Sequence, residues 1–416
     1  MEVNPGYKQT EVGVTPEDWE VKALKRISPR QSVGLVINPS TYFDKAGTVP
    51  LLVGSNVSEN AIDSTTANRI TKASNELLHA SRLVAGDLVT VRVGEPGITA
   101  VVPPDLDGCN CASMMIVRRH PSFDSHWLCW MMNSQHGRRQ VEHVQYGTAQ
   151  KQFNISHAVD FLYPVPPLPE QRAIATALSD VDGLLGGLDR LIAKKRDLRQ
   201  AAMQQLLTGQ TRLPGFHGEW EVKQIADIAT SIPAINRDGA TLPVLTCSKH
   251  LGFMDSLGFF KNQVFSKDLS TYKIIKRGEI GYPANHVEEG SIGHQGLYDA
   301  ALVSPIYVVF GVSENVNSFF LHRVLKLDSY RQKFQTATTS SVARRGSLRW
   351  PAFSKITVSL PPLPEQTAIA EVLTDMDAEL AALEQQREKT RALKQAMMQE
   401  LLTGRTRLVP AGGIRA

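Results

Sequence analysis

"PPLPEQRAIATALSDVDGLLGGLDRLIAKKRDLRQAAMQQLLTGQTRL", residues 166–213, is written a second time as "PPLPEQTAIAEVLTDMDAELAALEQQREKTRALKQAMMQELLTGRTRL" at 361–408. The two stretches align without a gap at an offset of 195 residues, with 28 identities in 48 positions. Chance does not produce that, so the chain contains a duplicated unit. A shorter echo lies upstream, where "DWEVKAL" at 18–24 resembles "EWEVKQI" at 219–225. The order is therefore variable block, shared block, variable block, shared block. The boundaries fall at 1–165 for a first globular domain, 166–209 for a first long helix, 210–360 for a second domain, 361–408 for a second helix, and 409–416 for a tail.

The shared block reads as a helix from end to end. Pro169 and Pro364 suit a first helical turn, where a missing N–H costs nothing. Glu170 and Glu365 follow, where the positive end of the helix dipole favours an anion. Apolar residues recur at spacings of three and four: Ile174, Leu178, Val181, Leu185, Leu188 and Ile192 in the first copy, Ile369, Leu373, Met376, Leu380 and Leu383 in the second. That is a narrow coiled-coil seam rather than a broad core-facing stripe. Gly209 and Gly404 end each helix. About 38 residues at 1.5 Å rise make a rod of roughly 57 Å. A helix so long and so polar on its outer face does not nest in one small domain. Two such seams in one chain pair with each other, and antiparallel pairing would put the two blocks at opposite ends. A polyproline ligand reading of "PVPPLP" is weaker, because the helix signals directly after it account for the prolines.

The bulk numbers bound the rest. A chain of 416 residues suggests two or three domains, and an apolar fraction of 42% allows real cores. The formal net charge of +4 is a weak hint of an anionic partner. Four cysteines do not make a disulfide framework, so a reducing compartment is expected. "MEVNPGYKQTEVG" has no secretory character, and no run of 18 apolar residues exists to span a membrane. A cytoplasmic protein with no membrane contact is the expectation.

Both variable blocks read as strands with turns and occasional helices. "LVAGDLVTVRVG" (83–94) and "CASMMIVRR" (111–119) in the first are echoed by "YKIIKRGEIGY" (272–282) and "ALVSPIYVVFGV" (301–312) in the second. Helices are expected at about 122–137 and 315–335. A Gly86–Asp87 turn matches Gly278–Glu279. Two α+β domains of one ancestry fit this outline. Ahead of each rod lies a basic, amide-rich stretch. Between Asp328 and Glu365 there is no carboxylate, yet Arg331, Lys333, Arg344, Arg345, Arg349 and Lys355 are present. The matching stretch 138–154 carries Arg138, Arg139, Gln145, Gln150, Lys151 and Gln152. Arg and Lys meet phosphates and guanine edges, and Gln meets adenine edges. A basic loop is often only a solvated surface, but two at corresponding places favour nucleic acid. Candidate DNA contacts are Arg138, Arg139, Gln150, Lys151 and Gln152 in the first block, and Lys249, His250, Arg344, Arg345 and Arg349 in the second.

With these features together, the chain resembles the specificity (S) subunits of bacterial and archaeal type I restriction-modification systems. The likeness spans nearly the whole chain and is carried by the duplicated "PPLPEQ…LLTG" helix, by "GFHGEWEVKQI", and by "SKHLGF" and "FSKDLSTYKIIKRGEI" within the second block. The first block keeps the opening "EDWEVKALKRI" but has a less typical interior. The resemblance implies two target-recognition domains separated by two long conserved helices that pair as an antiparallel coiled coil. Each domain would read one half of a bipartite site on double-stranded DNA, and the helices would fix the spacing. Two modification (M) subunits would dock on the helices and methylate adenine N6 with S-adenosylmethionine. Restriction (R) subunits would add ATP- and Mg-dependent translocation and cleavage. On this reading the chain itself binds no cofactor and does no chemistry.

Rival readings fare worse. An adenine methyltransferase needs an Asn/Asp-Pro-Pro box with an aromatic to hold a flipped base, and "INPS" at 37–40 lacks both the second proline and the aromatic. No GxxxxGK[ST] phosphate loop occurs. A nuclease reading of "EVK" at 20–22 and 221–223 is less economical than a strand that opens each block. Cys109, Cys111, His120, His126 and Cys129 could be drawn as a metal site, but C-x-C spacing is poor for zinc and cysteines in an apolar strand usually fill a core. A coiled-coil scaffold that does not bind DNA is the different-class alternative, and steep weakening of DNA binding with salt would discriminate against it.

Overall fold

A computed structural model of the chain describes residues 5–260, 262–339 and 347–410. It divides into two compact units, one of residues 1–189 with 386–416 and one of residues 190–385. The division falls inside the two long helices, so each unit owns one globular domain and part of both helices.

In the first unit the duplicated "EVK" segment is a strand. Glu20–Ala23 pairs antiparallel with Leu162–Val165, the strand that runs into "PPLPEQ", and Glu20 lies opposite Val165. Between this opening and this closing strand sits a four-stranded antiparallel sheet in the order Thr99–Val101, Leu88–Val91, Met114–Val117, Gln31–Val33. Beside it lie a three-stranded sheet of Asn110–Cys111, Val49–Leu52 and Asn68–Ile70 and three two-stranded pairings.

The second unit repeats the plan. Glu221–Gln224 pairs antiparallel with Thr357–Leu360. The four-stranded sheet runs Gly293–His294, Ile280–Pro283, Tyr307–Val312, Ala229–Ser231, which is the same order of counterparts. The matching turns are built alike. Gly86 and Gly278 take φ of 91° and 86°, a left-handed conformation that glycine adopts without strain. The carboxylate after each glycine closes its own turn: Asp87 accepts the Val84 N–H at 3.0 Å, and Glu279 accepts the Lys276 N–H at 2.8 Å.

The expected single helices are each two. The first is Ser125–Asn133 followed by Gln135–Val144, the second Ser318–Leu325 followed by Asp328–Thr339. Ser134 makes the first break: its backbone is extended, and its hydroxyl accepts the Gly137 N–H and so starts a new helix. The expected strand 301–312 is likewise two, Ala300–Val303 and Tyr307–Val312.

The shared blocks are helices of 39 residues each, Leu168–Leu206 and Leu363–Leu401. Of the seam, Ile174, Leu178, Leu185, Leu188, Ile192, Ile369, Leu373 and Leu380 are buried, and Val181, Met376 and Leu383 are half-buried. Within the first unit, Asp182 pairs with Lys394 and Asp189 with Arg387. Within the second, Lys195 pairs with Glu379 and Arg199 with Asp377. Rising numbers on one helix meet falling numbers on the other, so the helices pair antiparallel in both units. The ends of the seam have a second job. Ile174 and Leu178 join the first domain's core of Trp19, Leu24, Trp127 and Phe153, together with Leu401 and Leu402. Ile369 and Leu373 join the second domain's core of Ile225, Phe310, Phe320 and Phe353, together with Leu206 and Leu207. Each helix therefore docks on its own domain at its first turns and becomes a coiled-coil strand beyond them. No helix of the described residues is long and apolar enough to cross a membrane.

Candidate nucleic-acid interface

The scaffold behind the candidate surface is fixed by the repeated hexapeptide. Glu170 is buried at 1% exposure, too deep for a lone carboxylate. It is satisfied three times over: Trp19 Nε1 donates to Oε2 at 3.0 Å, and Arg407 donates through Nε at 2.6 Å and Nη2 at 2.7 Å. Arg407 also binds Asp18 at 2.9 and 2.8 Å. In the second unit the counterpart Glu365 is fully buried and takes two nitrogens of Arg212, whose guanidinium lies 5.7 Å from the Trp220 ring. Hydrogen bonding to Glu365 raises the Arg212 pKa. The arginine of each "TRL" thus reaches the glutamate that begins the other helix. Gly404 and Gly209 make this possible, with φ of 72° and 71°, and a Cβ on Gly404 would come within 2.5 Å of Pro16.

The glutamine of "PPLPEQ" aims the domain helices. Gln171 donates to the Pro166 carbonyl at 2.8 Å and accepts the Asp124 N–H at 2.9 Å. Gln366 donates to the Pro361 carbonyl at 2.8 Å and accepts the Asn317 N–H at 2.9 Å. Asp124 and Asn317 are the N-caps of Ser125–Asn133 and Ser318–Leu325. The domain helices touch the rods further along as well. Trp130 donates to Ser179 at 3.3 Å and lies under Lys394, while Arg323 binds Asp377.

On this scaffold the candidate contacts fall into different settings. Arg139 is exposed on Gln135–Val144, but its neighbour Arg138 is a strap, donating to the Pro96 carbonyl at 3.1 Å. The helix runs into a small hairpin in which Tyr146 and Gln152 exchange backbone hydrogen bonds at 2.9 Å. Gln150 and Lys151 are exposed there, Gln152 is half-buried, and Lys151–Gln152 pairs with Val93–Gly94. In the second domain Lys249 and His250 are exposed at the tip of a β-hairpin. Arg349 is exposed on the wall of a groove of about 470 Å³ that it shares with Lys273, Ile306, Tyr307, Ser347 and Trp350. Arg344 and Arg345 lie outside the described residues. Part of the expected basic loop is helix, and its cations act locally: Arg331 pairs with Asp328 at 2.9 Å, and Lys333 donates to the Thr357 carbonyl at 3.1 Å.

The Cys109, Cys111 and Cys129 side chains are buried, and burial pushes the Cys109 thiol up to about 12. Among the described residues no group of three or more His, Cys, Asp or Glu is placed to hold a metal ion.

Residues 217–391 match the profile of the type I restriction modification DNA specificity domain. The chain is therefore similar to the type I specificity subunits. Its likeness to individual subunits extends over the full length. It is 24% identical over 97% of both chains to a Methanocaldococcus jannaschii protein named as a type I restriction enzyme MjaX specificity subunit. It is 25% identical to the type I restriction enzyme MjaVIII specificity subunit of the same organism, over 59% of this chain and 62% of that one. The fold is that of the type I restriction-modification S subunit from M. genitalium, with a TM-score of 0.58 at 12% identity, covering 96% of this chain and 98% of the other. The HsdS subunit from Thermoanaerobacter tengcongensis aligns at a TM-score of 0.50 and 18% identity, over 94% and 98%.

Sequence reasoning missed the structural chemistry that holds the two helices to their domains. Arg212, Arg407, Gln171 and Gln366 all stood in the duplicated text, so their repetition was the available signal. Lys326, which grips the hairpin tip in the second domain, had none.

Proposed function

We propose that this chain is a specificity subunit that selects the DNA sequence on which other subunits act. Each globular domain reads one half of a bipartite site, and the paired helices set the unspecified spacer and dock two M subunits. N6-adenine methylation with S-adenosylmethionine, and ATP- and Mg-dependent translocation and cleavage with R subunits, belong to those partners. The chain is non-catalytic and works in the cytoplasm beside the genome it marks.

One observation carries the reading furthest. Two domains whose four-stranded sheets share one strand order sit on duplicated clasps, yet expose different cations and amides. A duplicated frame with unlike surfaces suits two readers of two different words.

Mapping adenine methylation in cells carrying this chain and its neighbouring methyltransferase gene tests the proposal. The expected result is a split motif present only when the chain is present. A continuous motif, or the same motif after deletion of the chain, overturns it.

A further inference from the structure

We propose that the tip Lys249–His250–Leu251 is the base-reading element of the second domain and that Lys326 holds it in reading position. The inference rests on the DNA-reading function proposed above and assigns residues to it.

The tip closes a two-stranded ribbon, Leu245–Ser248 against Gly252–Asp255, with Ser248 opposite Gly252. A two-stranded ribbon is one of the shapes that fit a DNA major groove. All three tip side chains are exposed, Leu251 at 67%. A lone exposed leucine needs no explanation. Here it stands beside an ammonium and an imidazole, and the set matches what base edges offer. Lysine donates to guanine O6 and N7, an apolar group meets the thymine methyl, and the imidazole both donates and accepts.

The tip is also held still. Ser248 Oγ accepts the His250 N–H at 3.3 Å and the Leu251 N–H at 3.5 Å, and Gly252 supplies the left-handed turn at φ 69°. Lys326, just past the end of Ser318–Leu325, donates its ammonium to the Lys249 carbonyl and, at 2.9 Å, to the Gly290 carbonyl. Among the described residues Lys326 has no carboxylate partner, and burial lowers its pKa, with nearby Arg323 and Arg331 adding to the effect. An ammonium bound only by carbonyls leaves positive charge beneath the tip, which favours an approaching phosphate. Among the described residues the first domain has no counterpart of this ribbon after the matching strand. After Val49–Leu52 its chain makes a tight turn at Gly54–Asn56 and a short hairpin of Val57–Ser58 with Ala61–Ile62.

The test uses the full chain assembled with its methyltransferase partner. His250→Ala, Leu251→Ala, Lys326→Met and Lys326→Arg are compared by their methylated motifs and by competition with duplexes changed at single base pairs. The alanine variants are expected to lose roughly tenfold discrimination at one or two base pairs of one half-site and none at the other. Lys326→Met should blur the same half-site, and Lys326→Arg should restore it. An unchanged motif in both alanine variants, or equal loss in both halves, overturns the proposal. If Lys326→Met fails to fold, seen as a lost thermal transition, the exposed alanine variants still decide. A wild-type complex with no split motif would sink the DNA-reading function instead, whereas a split motif indifferent to the tip sinks only the tip.

Discussion

Glu365 is fully buried and depends on Arg212, whose own side chain is 22% exposed. Removing one partner of such a pair leaves the other charge uncompensated, at about 3 kcal/mol. Arg212→Met should therefore lower the urea midpoint of the second unit by an amount of that order, and adding Glu365→Met should recover most of the loss. A single variant within a few tenths of a kcal/mol of wild type would mean the pair is peripheral. Gln171→Ala removes a donor from Pro166 and an acceptor from the Asp124 N–H, so about 1–3 kcal/mol is expected from the same measurement on the first unit. The sequence marked both glutamates as anions at a helix start. It could not reveal their partners, because Arg212 lies 153 residues from Glu365 and Arg407 lies 237 from Glu170. Only tertiary folding joins residues so far apart.

Among the elements, the long helices were the most legible, since a seam of fixed period needs no tertiary information. Their weak points are visible too. A Cβ on Gly183 or Gly187 would meet nothing within 4 Å, so each glycine costs backbone entropy without serving a contact. Gly187→Ala should stabilise the chain by about 0.5–1 kcal/mol, read as a rise in thermal midpoint. If the rods rule the spacer, lengthening both by one heptad, between Arg190 and Leu191 and between Gln385 and Gln386, keeps the seam and every ion pair described above. About 10 Å of added helix should lengthen the spacer in the methylated motif by about three base pairs. An unchanged spacer removes the helices from that role. The break at Ser134 was not legible. The apolar run "WLCWMM" leads to within one residue of it, and the serine acts through its extended backbone and a hydroxyl that donates to the Met131 carbonyl and accepts the Gly137 N–H.

For the whole molecule, the sequence anticipated two related α+β domains, but strand order depends on which distant segments pair, and alternation alone does not say. The candidate contact surface was least legible: Arg138 reads like Arg139 in the sequence, yet one straps Pro96 and the other faces solvent. The domains should also differ in acid tolerance. Burial, aided by Arg323, lowers His294 to about 4, and burial beside His294 lowers His322 to about 3. Both are neutral in the folded state, while an unfolded chain protonates them below about 6.5. Their contribution is fully present above that pH and is lost as pH falls toward 4. Melting followed from about pH 7 to about pH 4.5 should show the second unit losing about 5 kcal/mol, and His322→Gln should roughly halve the slope. A slope untouched by the substitution would assign the acid sensitivity to other groups.

The division of each long helix between the two units also dictates a schedule of assembly. Leu401, Leu402 and Arg407 complete the core and the clasp around Trp19 and Glu170. A ribosome must first make the whole second domain before those groups emerge, so the domain synthesised first closes after the one that follows it, and its apolar face must wait in the open meanwhile.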